Sequence, residues 1–228
     1  MADLDALYDR TSSRTLTTWA LDAGTGEPRT APRYAKDKFA LATGITPALT
    51  PAISTLLQDL HALAAGDPLA DVMPPASLHF TFLAITDAIY LAPDTAEDLS
   101  ALTDAFAAIT PLTVSIHELR LVALADQLLL AGIPDAQSLQ RREDFTAALQ
   151  SGPWASALAQ RYGNTPLPPP FWHSTLVRYE AARLPVRFRD YFLAHQQARF
   201  GEVSAPLKLA MVDYNWTKKA LLAAPSES

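Results

Sequence analysis

The sequence PFWHSTLVRY, residues 170–179, is the stretch from which the rest of this chain is interpreted. It follows a run of prolines and has the aromatic and β-branched composition that is typical of a β-strand. Side chains two residues apart point to the same side of a strand, so His173 and Thr175 are predicted to lie side by side. The same His-x-Thr arrangement occurs once earlier, in SLHFTFL at residues 77–83. Two such pairs, placed opposite each other, would surround one small anion with two acid–base groups and two hydroxyl donors.

The earlier pair is His79 and Thr81, and chance is the first alternative to a shared site. By composition, Ser or Thr follows at this spacing for about one histidine in eight, so two matches among five histidines do not exclude coincidence. Each pair would then be a buried or edge-strand histidine beside a hydroxyl. Context favours a site, because both pairs lie in strand-like runs at equivalent places in the two halves of the chain. The remaining histidines lack the pattern: His61, His117 and His195.

Composition excludes several classes of function. The chain has 228 residues, a length that suits one bilobal domain or two small ones. Its net charge is −6. The sequence contains no cysteine, so disulfides, thiolate catalysis and cysteine-ligated zinc are excluded. No glycine-rich phosphate-binding motif occurs. The negative charge argues against a broad electrostatic grip on long nucleic acid, but it allows a small phosphorylated ligand in a locally basic cleft.

No membrane segment is predicted. The N-terminal residues are acidic and carry no apolar run of the kind found in signal peptides, and no uninterrupted apolar stretch is long enough to span a bilayer. Together with the absence of cysteine, this leads us to expect a cytoplasmic protein without a membrane partner.

Two other catalytic interpretations of the histidines have less support. Two histidines on separate strands supply only half of a zinc site, and no H-x-H or H-E-x-x-H motif supplies the remainder. No G-x-S-x-G nucleophile elbow is present, so a Ser-His-Asp triad is not indicated. We therefore expect neither a metal nor a cofactor.

The hydrophobic pattern predicts the order strand, helix, His strand, helix, strand in each half of the chain. Helices are predicted to begin after Thr50, after Asp94 with Glu97 completing a capping box, after Asp135, and near Pro185, the last running to Phe200. Strands are predicted at residues 39–45, 77–85, 112–123, 127–133, 170–179 and 205–216.

These elements predict an α+β fold that is bilobal and pseudo-duplicated, with two antiparallel-rich sheets around a central cleft and helices outside. The low-periodicity segments are expected to be irregular. They are the connection at 153–170 and an N-terminal extension over residues 1–35, which holds a short strand near residues 15–21. The predicted organisation is therefore the extension 1–35, a domain 36–217 with lobes 36–125 and 126–217 that can exchange strands, and a C-terminal tail 218–228, in which residues 223–228 are expected to be loose.

The motifs LHFTF at 78–82 and WHSTLVR at 172–178 resemble the paired signatures of the 2H phosphoesterase superfamily. That superfamily includes bacterial RNA 2′,3′-cyclic phosphodiesterase/RNA ligase-like proteins and plant cyclic nucleotide phosphodiesterases. The resemblance covers residues 36–217 and does not explain the N-terminal extension. Ser174 departs from it, because a hydrophobic residue is usual there. This side chain points away from His173 on the strand, so we expect the departure to affect packing rather than chemistry.

The resemblance implies a metal-independent enzyme that hydrolyses a 2′,3′-cyclic phosphodiester of a nucleotide or of a short RNA end. His79 and His173 would be the catalytic acid and base, and Thr81 and Thr175 would bind the phosphate. Two alternatives remain open on the same scaffold. One is a protein that binds a nucleotide or RNA end without turning it over, and the other is a 2′–5′ RNA ligase-like enzyme.

Further residues are candidates for substrate contact. Phe171 lies two residues before His173 and therefore on the same strand face, where it can line the cleft or stack on a base. Strict alternation points Arg178 away from His173, so this arginine reaches the site only through a bulge or at the strand end. Four other aromatic residues are weaker candidates of the same kind: Tyr34, Tyr179, Tyr214 and Trp216.

Overall fold

The computed structural model describes residues 3–94 and 98–223. Within those ranges the chain is α+β, with six α-helices and two antiparallel sheets. The helices are α1 Leu4–Leu21, α2 Pro51–Ala64, α3 Ser100–Ile109, α4 Ala136–Gln150, α5 Ala155–Tyr162 and α6 Val186–His195. The strands are β1 Ala40–Ile45, β2 Ala70–Val72, β3 Phe80–Ala84, β4 Thr113–Leu124, β5 Gln127–Pro134, β6 His173–Tyr179, β7 Val203–Pro206, β8 Lys208–Val212 and β9 Lys219–Ala223.

The two predicted His strands belong to different sheets. The four-stranded sheet has the order β3-β1-β8-β9, with β3 at its edge, and the five-stranded sheet has the order β2-β6-β5-β4-β7. Each sheet draws strands from both predicted lobes, and the β4–β5 hairpin spans the position between residues 125 and 126. The arrangement places the two motifs so that they can face each other from separate sheets.

Helix starts were predicted well where a capping residue precedes an apolar stripe. Thr50 accepts a hydrogen bond from the Ile53 amide at 3.3 Å, and Pro51 occupies the first turn of α2. Asp135 likewise accepts from the Ser138 amide at 2.6 Å at the start of α4. For α3 the structure differs, since the helix begins at Ser100 without a side-chain cap, and Glu97 lies outside the described residues.

The secondary structure predicted for the N-terminal extension was wrong. Residues 15–21, predicted as a short strand, form the end of helix α1. Asp3 caps this helix by accepting from the Ala6 amide at 3.0 Å. The helix has few apolar residues, and its buried side chains are only Tyr8, Thr15 and Trp19. Because these few buried residues are separated by many Ser and Thr residues, the sequence of α1 shows no clear helical period. Packing against the sheet stabilises the helical conformation instead.

Helix α1 is held to the five-stranded sheet by hydrogen bonds as well as by packing. The Tyr8 hydroxyl donates to the Gly132 carbonyl at 2.9 Å and accepts from the Trp172 amide at 3.2 Å. Farther along the helix, Thr15 and Trp19 donate to main-chain carbonyls at the end of β4 and in the turn that follows it. Because Trp172 directly precedes His173, the helix supports the strand that carries the second motif.

Four further predictions were wrong in the C-terminal half. The connection at 153–170 contains helix α5, and α6 ends at His195 rather than near Phe200. The single strand expected at 205–216 is two strands, because β7 pairs with β4 in one sheet and β8 pairs with β1 in the other. The predicted tail contributes β9, which pairs with β8 at the sheet edge. Residues 224–228 of that tail lie outside the described residues.

No helix in the described part of the chain is both long and apolar enough to cross a membrane.

We expect the Tyr8→Phe substitution to destabilise the fold by about 1–3 kcal/mol. The ring would remain, but the buried Gly132 carbonyl and Trp172 amide would lose their shared partner. Urea unfolding followed by circular dichroism measures the change. Leu21→Ala on the same helix is the control, because this side chain is 83% exposed, and its effect should stay within about 0.5 kcal/mol. A Tyr8→Phe protein as stable as this control would show that the hydroxyl does not hold α1 in place.

Candidate active site

One cavity of about 460 Å³ is lined by residues from both sheets. It contains the two motif histidines and the two motif threonines, which the sequence predicted to share a site. Five of the six candidate substrate-contact residues line it as well, and Tyr179 does not. The predicted site residues that the structure brings together are His79, Thr81, His173, Thr175, Phe171, Arg178, Tyr34, Tyr214 and Trp216.

His79 lies immediately before β3, after a short 3₁₀ turn at Pro75–Ser77. Its Nδ1 lies 2.9 Å from the Ser77 carbonyl oxygen. A carbonyl only accepts, so Nδ1 carries the proton and the neutral ring has its basic lone pair on Nε2. This bond sets the tautomer and the orientation of the ring at the cavity wall.

The His79 ring is held in place by stacking. It lies against the indole of Trp216, with ring centroids 5.2 Å apart and planes 14° from parallel. Trp216 adopts a left-handed backbone conformation with φ of 57°, which is uncommon for a large residue. Its indole also needs Gly44, since a Cβ there would lie 2.8 Å from the ring and 2.6 Å from the Phe80 carbonyl oxygen. Trp216 was only a weak candidate from the sequence, because its contacts with His79 and Gly44 join residues that are far apart in the chain.

His173 begins β6 and faces the cavity from the other sheet. The Phe171 ring meets its imidazole edge-to-face, with centroids 6.0 Å apart, and the Tyr8 ring meets Phe171 in the same manner at 5.2 Å. Phe171 is therefore a wall residue between the histidine and helix α1. Tyr179, at the end of the same strand, does not line the cavity, because its hydroxyl donates to Asp67 at 3.0 Å.

Both His strands contain a β-bulge directly after the motif threonine. In β3, Thr81 lies opposite Gly44 while Leu83 lies opposite Thr43, so Phe82 is an extra residue. In β6 the pairing also skips one residue between Thr175 and Val177. A bulge reverses the alternation of the side chains beyond it.

This bulge is the reason that Arg178 lines the cavity. The extra residue in β6 is Leu176, so Arg178, three positions after Thr175, returns to the face that Thr175 occupies. Simple alternation predicted the opposite direction. In β3 the corresponding position after the bulge is Ala84, which also lines the cavity. The second motif thus supplies a cation where the first supplies a methyl group.

The Arg178 guanidinium is buried, with 4% of the residue exposed. It donates to the Asn215 side-chain oxygen at 2.5 Å and lies 5.1 Å and 5.4 Å from the ring centroids of Tyr34 and Tyr214. No carboxylate among the described residues forms an ion pair with it. Cation–π contacts stabilise such a group only partly, so the guanidinium can still attract an anion in the cavity.

A second buried arginine lies behind the wall. Arg142 of α4 stacks on Trp172, with its guanidinium carbon 3.8 Å from the ring centroid, and donates to the Phe171 carbonyl at 3.3 Å. Burial lowers the pKa of Arg142 to about 10. The group remains charged at neutral pH, so it adds to the positive potential around His173.

Burial makes both motif histidines weak bases. It lowers the pKa of His79 to about 3, an effect that the neighbouring Arg178 and His173 increase and the bond to Ser77 opposes. Burial lowers the pKa of His173 to about 4, with further contributions from Arg178 and Arg142. Both imidazoles are therefore neutral at pH 7 in the ligand-free protein. A bound anion would favour the imidazolium form and raise these pKa values.

The N-terminal segment 22–38 contributes directly to the site. It is anchored by Arg29 and Arg33, which both pair with Asp126 in the β4–β5 turn. Beyond this anchor, Tyr34 stacks on Tyr214 with centroids 5.6 Å apart. This segment carries four basic residues, Arg29, Arg33, Lys36 and Lys38, but no local pattern indicates that Arg33 lines the cavity.

Sequence reasoning missed several other wall residues. Tyr162 of α5 accepts a hydrogen bond from the Ala84 amide at 3.2 Å, and Arg161 beside it pairs with Asp87 at 3.2 Å. Asp213 accepts from the Thr217 amide at 2.8 Å. No motif surrounds these residues, and only the folding of α5 and of two turns brings them to the cavity. No set of three or more His, Asp or Glu side chains suited to a metal ion occurs within residues 3–94 and 98–223.

We expect stability to fall as the pH is lowered from 6.5 to 4.5. An unfolded histidine titrates near 6.5, whereas His79 and His173 bind protons in the folded state only near pH 3 and 4. The unfolded state therefore binds about two more protons in this range, and stability rises with pH. Urea unfolding at several pH values measures how steeply the free energy of unfolding changes with pH. In the His79→Gln/His173→Gln protein this slope should correspond to about two fewer protons taken up on unfolding. The exposed His117→Gln is the control, and an equal slope in all three proteins would contradict the assigned protonation.

Comparisons with known proteins give no family assignment. No protein-family model matches the sequence, and no curated protein matches it. Among solved structures, the chain is similar to the crystal structure of the protein TT0787 of Thermus thermophilus, at 15% sequence identity and a TM-score of 0.48. That similarity covers 81% of this chain and 95% of the other.

Proposed function

We propose that this protein is a 2H-type phosphoesterase that hydrolyses a 2′,3′-cyclic phosphodiester of a nucleotide or short RNA end without a metal. One observation carries the proposal: His79, Thr81, His173 and Thr175, on strands of different sheets, line one cavity that also contains the buried Arg178. Two neutral imidazoles, two hydroxyls and a guanidinium without a carboxylate partner among the described residues are suited to bind and transform a phosphate ester.

The local structure of the two motifs supports an internal duplication of the 2H kind. Each threonine is followed by a one-residue bulge, and the position three residues after the threonine lines the cavity in both strands. The departure at Ser174 fits the expected role in packing. Its hydroxyl is buried on the opposite face and donates to the Met73 sulfur at 3.4 Å.

In the proposed reaction one histidine accepts a proton from water while the water oxygen attacks phosphorus. The bond from phosphorus to one ribose oxygen breaks, and the other histidine, as imidazolium, gives its proton to that oxygen. The product is a ribose phosphomonoester with one free hydroxyl. Thr81 and Thr175 donate hydrogen bonds to the non-bridging oxygens, and Arg178 offsets the negative charge that develops there.

The protonation states explain how one histidine can become the acid. Both are neutral in the ligand-free protein, because burial and nearby cations disfavour the imidazolium. The negative phosphate opposes this effect, so binding raises the pKa of the nearer imidazole and favours uptake of one proton. The substrate charge thereby helps to create the acid that its own hydrolysis requires.

A binding protein without turnover is a second candidate, and the depressed basicity of the histidines favours it. If the bound anion did not restore a proton to either imidazole, the cavity would hold a nucleotide or RNA end without supplying a leaving-group acid. A 2′–5′ RNA ligase-like reaction would use the same groups, with a ribose hydroxyl as the attacking nucleophile in place of water.

We expect the purified protein to hydrolyse nucleoside 2′,3′-cyclic phosphates in the presence of EDTA. His79→Ala and His173→Ala should each lower kcat by at least about 10²-fold, since each would remove an acid or base. Thr81→Val and Thr175→Val should lower kcat/KM by about 10-fold or more through loss of a donor to the phosphate. Chromatographic separation of the cyclic and opened nucleotides measures the rate.

His117→Ala is the matched control, because this histidine is exposed and pairs with Glu202 away from the cavity. Its activity should equal that of the unaltered protein. Full turnover by either motif-histidine variant, or loss of turnover on chelation, would overturn the proposed mechanism. Calorimetric binding of a nucleoside 2′-phosphate without hydrolysis of any cyclic substrate would favour the binding protein instead.

We also expect kcat/KM to decrease as the pH rises from 5.5 to 7.5, with a slope approaching about −1 on logarithmic axes. The active form of the free enzyme holds one proton on its histidine pair, and that form becomes scarcer above a pKa of about 4. The decrease in kcat should be smaller, because the bound phosphate raises the pKa of the acid. A kcat/KM optimum centred near 6.5, the ordinary value for histidine, would contradict this assignment.

A further inference from the structure

We propose that the substrate is a single nucleoside-sized cyclic phosphate, with one phosphate group and one aromatic group, and that this cavity does not accept an RNA chain. This inference rests on the proposed function and specifies its substrate class. It follows from the charges that line the cavity, from the N-terminal residues that form part of its wall, and from its size.

The charges in the wall suit one phosphate. Among the described residues, three cationic side chains line the cavity, and two of them are paired with carboxylates: Arg33 with Asp126, and Arg161 with Asp87. Arg178 has no such partner there and lies beside the two His-x-Thr motifs. Arg142 lies behind the wall and does not line the cavity. A polynucleotide needs a cation near each of several phosphates, and the described wall offers only one that is free of a carboxylate.

A carboxylate in the wall opposes a second phosphate. Asp87 and Asp213 both line the cavity, but the charge of Asp87 is offset by its ion pair with Arg161. The other carboxylate, Asp213, is kept at the wall by its hydrogen bonds with Thr217. A negative group at this position would repel the next phosphate of a chain, although it does not affect a neutral nucleoside.

The N-terminal residues form part of the cavity wall and support it. Segment 22–38 contributes Arg33, Tyr34 and Ala35 to the wall, and Tyr8 of helix α1 packs against the wall residue Phe171. Asp126 fixes that segment through its two arginines, and the Glu180 carbonyl accepts from the Arg29 amide at 2.8 Å. These contacts hold the segment against the β4–β5 turn and the end of β6.

The remaining wall suits one planar apolar group. The cavity volume of about 460 Å³ lies in the lower part of the range that holds one small organic ligand. Its aromatic lining includes Phe171, Tyr34 and Tyr214, and such rings stack on a nucleobase without requiring a particular base. The geometry therefore points to a mononucleotide, with the phosphate at the histidines and the base on the aromatic wall.

The test compares two substrates that share the same reactive group. One is uridine 2′,3′-cyclic phosphate, and the other is a decanucleotide that ends in uridine 2′,3′-cyclic phosphate. We expect kcat/KM to be at least about 100-fold higher for the mononucleotide, since the wall repels the further phosphates of a chain. Equal values, or a preference for the decanucleotide that weakens with added salt, would overturn the inference while leaving the hydrolytic function intact.

Two carboxylate variants test the charge argument. Asp126→Asn leaves Arg29 and Arg33 without their carboxylate, so it should reduce the preference for the mononucleotide at least about threefold by adding a free cation to the wall. Asp67→Asn also breaks an arginine pair, with Arg187, but lies away from the cavity and should leave the preference unchanged. An identical preference in both variants would show that wall charge does not select against a chain.

Binding separates this inference from the proposed reaction. Calorimetry with uridine 2′-phosphate and with a decanucleotide bearing a terminal 2′-phosphate measures the preference without turnover. Tighter binding of the mononucleotide by a protein that hydrolyses neither cyclic substrate would refute hydrolysis and still support the one-phosphate cavity. Affinity that increases with chain length, with a steeper salt dependence, would refute the cavity assignment whether or not hydrolysis occurs.

Discussion

The bulge at Leu176 is the constraint on which the cavity depends most. Without it, β6 would present His173 and Thr175 to the cavity and turn Arg178 toward the opposite face. With it, one short strand delivers an imidazole, a hydroxyl and a guanidinium to the same volume. The matching bulge at Phe82 in β3 lets the edge of the other sheet approach with His79, Thr81 and Ala84. Two local breaks in strand alternation therefore define the wall on both sides.

The cost of this arrangement is electrostatic. Within the described residues, the fold buries Arg178 and Arg142 without carboxylate partners and keeps two histidines neutral beside them. Buried groups of one sign destabilise a fold unless hydrogen bonds and aromatic contacts offset the loss of hydration. Asn215, Tyr34 and Trp172 make such contacts here. An anion bound in the cavity would offset the buried positive charge and stabilise the fold further. For this reason we propose that the cavity binds a phosphate.

The sequence predicted more of the site than of its surroundings. The His-x-Thr pairs are local patterns in which spacing alone places both side chains on one strand face, and their strands were predicted close to the observed positions. Helix α1, helix α5 and strand β9 were missed, because their apolar residues are few and their conformation depends on contacts with distant sheets. The break at Leu207 was missed because the two strands beside it pair in different sheets.

Some properties of this protein are thus already present in its local sequence: the α+β class, the capped helices α2 and α4, and two imidazole–hydroxyl pairs on strands. These depend on period and on capping groups, which act over only a few residues. The tertiary structure alone decided that the pairs line one cavity, that Arg178 points into it, and that Tyr34 and Trp216 complete its wall. Those outcomes depend on strand register, on a left-handed residue beside Gly44, and on ion pairs between residues nearly a hundred positions apart. No local pattern encodes such contacts, because their energies exist only once the chain has folded.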